Sequence, residues 1–341
     1  MKVITFGEIL LRLEAPGYTK LFQKENLEAT FCGSEANVAV SLSIFGLDTS
    51  LVTRLPDNEV GHSAENAIRC FGVCTDNVVY GQGRMGLFYL EKGASQRPSR
   101  VIYDRNNSSF ALSKETDFNW DEIFNDADWF HWSGINPAIS SELASICENA
   151  CKSAKERGLV VSCDLNYREK LWSTSKAQRI MKPLMKYVDV CICNEEDADR
   201  VLGIKKPNTD TESGDLNKTD YLHTAEKICG RYSCEFVATT LRRSYSASRN
   251  GWSAMLYDAK TKKPFFSKEY DIQIIDRVGG GDSFAAALIF AMTKHMDNQR
   301  AIEFAAAASC LKQTIEGDFN RTTVSDVELL LDSGGNGRVQ R

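Results

Sequence analysis

Two rhythms of apolar residues run along this chain. Short, nearly continuous apolar runs recur at "KVITFGEIL" (2–10), "TSLVTRL" (49–55), "ADWFHWSGI" (127–135), "LVVSCDLN" (159–166), "VDVCICN" (188–194) and "CEFVATTL" (234–241). Their length and β-branched content are those of buried strands. Between them lie segments of helical spacing. In "SEANVAVSLSIFG" (34–46), Val38, Leu42 and Phe45 share one face and Gly46 is a stop; "HSAENAIRCFG" (62–72), "SSELASICENACKSAKERG" (140–158), "SKAQRIMKPLMKY" (175–187) and "YLHTAEKICGRY" (221–232) follow the same logic. Strands alternating with such helices predict an α/β fold: a doubly wound, mostly parallel sheet with helices on both faces. Residues 8–31 and 79–112 break the alternation, since "GLFYLEKG" (86–93) and "SRVIYDR" (99–105) have period two and no helix lies between them. They predict a small β-sheet, placed as a lid over the open end of the main one. The expected unit is a single domain over 1–333, with "KKPNTDTESGDLNKTD" (205–220) as a surface loop and 334–341 as a disordered tail.

Composition narrows the picture. Of 341 residues, 43% are hydrophobic and 26% charged, which suits a large core and not a disordered chain. A net charge of −5 without a basic block argues against a nucleic-acid partner. No apolar run suits a membrane span, and Glu8 and Arg12 interrupt the N-terminal segment that a signal peptide would need. Eleven cysteines without such a signal point to a reducing, cytoplasmic setting, and their spacing matches no zinc site.

The chemistry concentrates in "DRVGGGDSFAAALIFAM" (276–292). Gly279, Gly280 and Gly281 lead into Asp282, and the residues from Ser283 to Met292 read as a buried helix. Amides at a helix start lack intrahelical partners and sit at the positive end of the dipole. Glycines there let an anion approach the backbone, phosphate above all. The alternative is an ordinary capped helix after a tight turn. "GQGRMG" (81–86) fits the dinucleotide glycine pattern but runs into a strand where that motif needs a helix. No Gly-Lys dipeptide exists, so there is no Walker A loop. Phosphoryl transfer needs amide donors on the moving group, a metal and an aligned base. Gly279–Gly281 would supply the donors. Asp282 would be the base, kept ionised at low pKa by the helix dipole.

"DRVGGGD" (276–282) resembles the D-T-x-G-A-G-D run of the ribokinase-like (PfkB) carbohydrate kinases, and "CGSEANVAVSLSIFG" (32–46) resembles their N-terminal G-G-x-x-x-N-x-A-x-x-L-x-x-L-G signature. The two lie far apart and each stands in its expected context, over a resemblance spanning about residues 2–330. Within that family "GRMGLFYLEKGASQRPSRVIYDRNNSS" (83–109) and "CDLNYREKLW" (163–172) are most similar to the 2-keto-3-deoxygluconate kinases. The resemblance implies an acceptor-sugar site at Gly33, Asn37, Tyr89, Tyr103, Arg105, Asn166, Arg168 and Asp282. Arg105 and Arg168 match the carboxylate of a sugar acid. It implies an ATP site at Asn194, Thr240, Arg242, Ser244, Gly279 and Gly281, and Mg²⁺ held through Asp197 or its neighbour Glu196. "TTLRRSYSA" (239–247) lacks the glycines of the family's nucleotide loop, and Arg277 and Val278 replace hydroxyl residues of its monovalent-cation site, so potassium activation is not expected.

The expected activity is ATP-dependent phosphorylation of 2-dehydro-3-deoxy-D-gluconate at its 6-hydroxyl. The rivals are a kinase for another sugar, such as fructose, or a non-catalytic sugar-binding regulator. The expected partners are a sugar acid, ATP and a second copy joined through the lid. Trp129, Phe130 and Trp132 are expected in the core, and His62 and His131 in structural roles.

Overall fold

The computed structural model describes residues 1–194, 196–205 and 218–333. Most of the expected loop at 205–220 and the whole tail at 334–341 lie outside the described residues. In chain order the strands are β1 (Lys2–Phe6), β2 (Leu10–Glu14), β3 (Glu28–Cys32), β4 (Asp48–Pro56), β5 (Val78–Gly81), β6 (Gly86–Glu91), β7 (Arg100–Asp104), β8 (Trp129–Ser133), β9 (Val160–Asp164), β10 (Val190–Cys193), β11 (Phe236–Ser246), β12 (Arg249–Asp258), β13 (Lys263–Phe266) and β14 (Tyr270–Gln273). The helices are α1 (Ser34–Ile44), α2 (Glu59–Arg69), α3 (Trp120–Ile123), α4 (Ile135–Ile139), α5 (Ser141–Glu156), α6 (Thr174–Leu184), α7 (Asp197–Leu202), α8 (Lys218–Tyr232), α9 (Gly280–Thr293), α10 (Asn298–Lys312) and α11 (Val324–Ser333).

The main sheet runs β13-β12-β11-β10-β9-β8-β1-β4-β5, with β14 also paired to β12. It is parallel from β5 to β11 and antiparallel beyond. β8 and β10 are buried at every position, as strands covered on both faces must be. One face carries α1, α9 and α10, whose core includes Val38, Leu42, Phe45, Phe284 and Phe304. The other carries α5, α6 and α8 through Leu143, Ile146, Met181 and Ile228. Ala285–Ala287 of α9 and Ala305–Ala308 of α10 are all buried; side chains this small let the two helices pack closely. Trp129, Phe130 and Trp132 are core residues as expected.

A second sheet has the order β3-β2-β6-β7. Its strands come from the two stretches that break the alternation, with three differences. The apolar run at 2–10 divides: β1 stays in the main sheet, the chain turns at Gly7, and β2 enters the small one. β5 lies inside the expected lid stretch but pairs with β4 of the main sheet. Phe110–Leu112 form a 3₁₀ turn, not a strand. The helix after the glycine turn starts earlier than Ser283: α9 begins at Gly280 with Gly279 as its N-cap at φ 80°, and Asp282 lies in its first turn, a place expected for it.

Candidate active site

Two adjoining cavities of about 320 and 310 Å³ open at the carboxyl ends of the parallel strands, the edge where α/β sheets present their ligand sites. Asp164, Asn166, Arg168, Arg277 and Gly281 line both. Asp164 ends β9, Asn166 and Arg168 follow it, and Arg277 and Gly281 belong to the turn into α9. The junction between the cavities is therefore built by two strand-end segments that the sequence separates by over a hundred residues.

The first cavity takes its remaining walls from Gly33, Ser34, Glu35 and Asn37 of α1 and its cap, from Phe88 and Tyr103 of the small sheet, and from Glu8, Arg105, Gly279 and Asp282. Asp282 is fixed by two donors: Ser34 Oγ gives a hydrogen bond to Oδ1 at 2.8 Å and Asn37 Nδ2 to Oδ2 at 2.6 Å. Asn37 is thus a positioning partner for the Asp282 carboxylate, in addition to lining the cavity. Asn166, at φ 43°, donates to Ser34 Oγ at 3.2 Å and joins the same network. The expectation that the helix dipole keeps the Asp282 pKa low is corrected. Burial pushes it up to about 6, against the pull of the Asn37 and Ser34 hydrogen bonds. Loss of water around the carboxylate outweighs those two hydrogen bonds.

Arg105 is buried and already paired, its Nε donating to Glu8 Oε2 at 2.6 Å. It enters the cavity wall as half of an ion pair, so any ligand carboxylate shares the guanidinium with Glu8. Tyr89 is the second correction. Strand alternation turns Phe88 and not Tyr89 to the cavity, and the Tyr89 ring lies 6.3 Å from that of Phe22. Arg168 reaches the junction instead of the acceptor cavity alone.

The second cavity is lined by Asn194, Glu196, Asp197, Thr240, Arg242, Asn250, Trp252, Gly280 and Phe284. Ser244 does not line it; it is exposed on the β11–β12 hairpin, a third correction, since the strand continues past Thr240 where a nucleotide-binding loop was expected. Gly279 faces the first cavity and Gly280 the second. Asp197 is buried, with Oδ1 accepting from the Tyr167 amide and Oδ2 from the Asn194 amide, each at 3.0 Å. Glu196 is exposed beside it. No group of three or more His, Cys, Asp or Glu side chains placed to hold a metal occurs among the described residues.

The three glycines are required for different reasons. A Cβ on Gly279 would collide with the Asp318 carbonyl, and its φ favours glycine as well. A Cβ on Gly280 would meet Gln313 Cγ at 3.0 Å. A Cβ on Gly281 would meet nothing within 4 Å. Space that no protein atom occupies, beside a helix-start amide at the junction of two cavities, has the properties of an anion subsite.

Sequence reasoning missed several wall residues. Burial and the charges of Asp197 and Asp282 hold the Asp164 carboxyl well above the usual carboxylate range. Burial pushes Glu35 up to about 7. Both stand in the motif stretches "CDLN" and "CGSEAN". Arg277 was read only as a lost hydroxyl; its Nε is buried without a partner at the junction. His131 is neutral, pushed down to about 3 by burial, with Nδ1 2.8 Å from Ser162 Oγ, and His62 lies on the surface next to Asp57.

The family model described as pfkB family carbohydrate kinase matches residues 1–321. The chain is 30% identical over 336 residues to a 2-dehydro-3-deoxygalactonokinase of Haloferax volcanii, covering 98% of each. It is 26% identical to a 2-dehydro-3-deoxygluconokinase of Thermoproteus tenax, covering 93% of this chain and 90% of that one. Among solved structures it is similar to a 2-dehydro-3-deoxygluconokinase from Thermotoga maritima, with a TM-score of 0.93, 48% identity, and coverage of 97% of this chain and 99% of that chain.

Proposed function

The chain belongs to the pfkB family of carbohydrate kinases, and from that premise we propose that it transfers the γ-phosphoryl group of ATP to the 6-hydroxyl of 2-dehydro-3-deoxy-D-gluconate. The observation that carries this reading is the junction: Gly281, open to solvent space in the wall shared by the two cavities, is followed by Asp282 in the wall of the first. A sugar acid in the first cavity would bring its hydroxyl to Asp282, with its carboxylate at the outer edge of Arg105. The triphosphate would lie in the second cavity against Thr240 and Arg242. The amides of the turn into α9, with Arg277 and Arg168, would take the charge on the moving phosphoryl group. Asp282 would accept the hydroxyl proton.

Magnesium suits the second cavity. Asp164, Asp197 and Glu196 bring three carboxylates to its wall, and Mg²⁺ binds through one or two carboxylates plus phosphates and waters. Asp197, Glu196 and Asp164 are the residues that would hold it; when bound, it neutralises charge on the β- and γ-phosphates. The small sheet would act as the lid, excluding water as a competing acceptor. Phe22 and Ile102 are exposed on or beside it, which suits pairing of two copies through that sheet; size-exclusion chromatography with light scattering tests this.

The identity of the acid has a second reading, the galactonate epimer, favoured by the Haloferax volcanii relative. Incubation with ATP and each acid, with ADP release followed and the product examined by phosphorus NMR, tests the proposal. Phosphorus coupled to the C6 methylene is expected. No ADP release with any sugar would favour the regulator reading.

A further inference from the structure

Beneath the glycine turn lies a cation that the reaction just described does not use. Lys312, the last residue of α10, has no exposed surface. Its Nζ donates to the carbonyl oxygen of Asp276 at 3.2 Å and to that of Val278. The rest of the α10 terminus grips the same segment. Ser309 Oγ donates to the Gly280 carbonyl at 2.7 Å, and the Gln313 carbonyl accepts from the amides of Ile275 and Asp276 at 2.9 and 3.2 Å. An ammonium has three donors and no acceptor, so converging carbonyls are its natural partners. An isolated buried ammonium is costly. Here the carboxylates of Asp276 and Asp318 draw its charge, while burial pulls its pKa down. Those carboxylates are themselves tied to Arg12 of β2.

The consequence for the site follows from peptide geometry. In a trans peptide the C=O and N–H point in opposite directions. Holding the Val278 carbonyl on Lys312 therefore turns the Gly279 amide away from Lys312, and Gly279 lines the first cavity. We propose that the Lys312 ammonium is a built-in cation that positions the glycine turn for phosphate binding, so that turnover needs no monovalent metal ion. Converging backbone carbonyls also bind potassium, so removal of the lysine side chain opens a place for a small external cation. Lys312 is a positioning residue: it touches neither substrate. The inference rests on the turn being the phosphoryl site.

The experiment uses the full chain in choline, sodium, potassium and ammonium chloride at matched ionic strength. Wild-type kcat should agree across these salts within about threefold. Lys312→Ala should lose about 10²-fold in kcat in choline through misplacement of the turn. Ammonium or potassium should restore at least about tenfold of that loss with saturation. Lys312→Met fills the space and should not be restored. The Tm of the alanine variant should rise in potassium or ammonium relative to choline, and that of wild type should not. The inference is overturned if potassium raises wild-type kcat more than about threefold. It is also overturned if a folded alanine variant keeps its activity in choline, or loses activity that no cation restores. Should the alanine variant not fold, the wild-type salt series still decides. A wild type that turns over no sugar would count against the kinase reading, while the cation-specific Tm shift would still report on Lys312.

Discussion

At the scale of one residue, Asp282 accepts hydrogen bonds from Ser34 and Asn37 in the wall of the acceptor cavity. With a pKa near 6, kcat/KM should be flat at neutral pH and fall about tenfold per unit below about pH 6, as the base becomes protonated. A pH–rate profile checks this, and Asp282→Asn should keep the fold and lose about 10²–10⁴-fold in kcat. The sign for stability is opposite. A carboxyl whose folded pKa is raised gives stability that is complete below its unfolded value and lost as pH rises through about 6, so the asparagine variant should not melt earlier than wild type at pH 7.5. The glycines separate as cleanly. The Cβ of Gly281→Val meets nothing within 4 Å, so this variant should keep Tm while lowering kcat, whereas that of Gly280→Val pushes on Gln313 and should lower both. Equal kcat for wild type and Gly281→Val would remove the anion subsite. At Arg105, alanine would strand the Glu8 carboxylate, so lysine is the informative change. It keeps the charge but not the bidentate fork. The acid substrate should lose at least about tenfold in kcat/KM, within the about 1.5–3 kcal/mol of a charge-assisted contact, and a neutral ketose should lose little. A parallel loss on both would place Arg105 in the structure of the wall alone.

At the scale of elements, strand and helix order was legible because buried strands and amphipathic helices have different apolar periods. The fate of strands after sharp turns was not. Nothing in "KVITFGEIL" says that its two ends join different sheets, and nothing in "NVVY" assigns β5 to the main sheet and not the small one. Those choices depend on partners distant in sequence. The same holds for Tyr89: a one-residue difference in strand phase decides which face it takes. The joint between the small sheet and the catalytic turn was also hidden. Arg12 of β2 reaches Asp276 at 2.5 Å and pairs with Glu14 and Asp318 as well, all buried. Arg12→Met leaves three carboxylates without their guanidinium and should cost about 3–5 kcal/mol of stability, read by urea unfolding. The same variant should lose kcat beyond what its folded fraction explains, because Asp276 opens the glycine turn. An unchanged urea midpoint would mean that the cluster contributes no net stability.

At the scale of the molecule, the ribokinase-like α/β architecture brings two ligand cavities to one sheet edge and lets them share a wall. The sequence signalled that wall by two glycine motifs far apart, and the fold explains why both are needed: α1 supplies Ser34 and Asn37 to the carboxylate that α9 carries. The charge balance of the walls stayed out of reach of composition, since a net charge of −5 conceals Arg105, Arg168, Arg242 and Arg277 along the two cavities. Arg105, which lines the acceptor cavity alone, is the main physical argument for an anionic sugar. The most direct measurement is a comparison of kcat/KM for 2-dehydro-3-deoxy-D-gluconate and for fructose, with ATP saturating and ADP release recorded. One desolvated arginine–carboxylate contact, worth about 1.5–3 kcal/mol, should favour the acid by roughly 10–150-fold, and equal efficiency or a preference for fructose would contradict it.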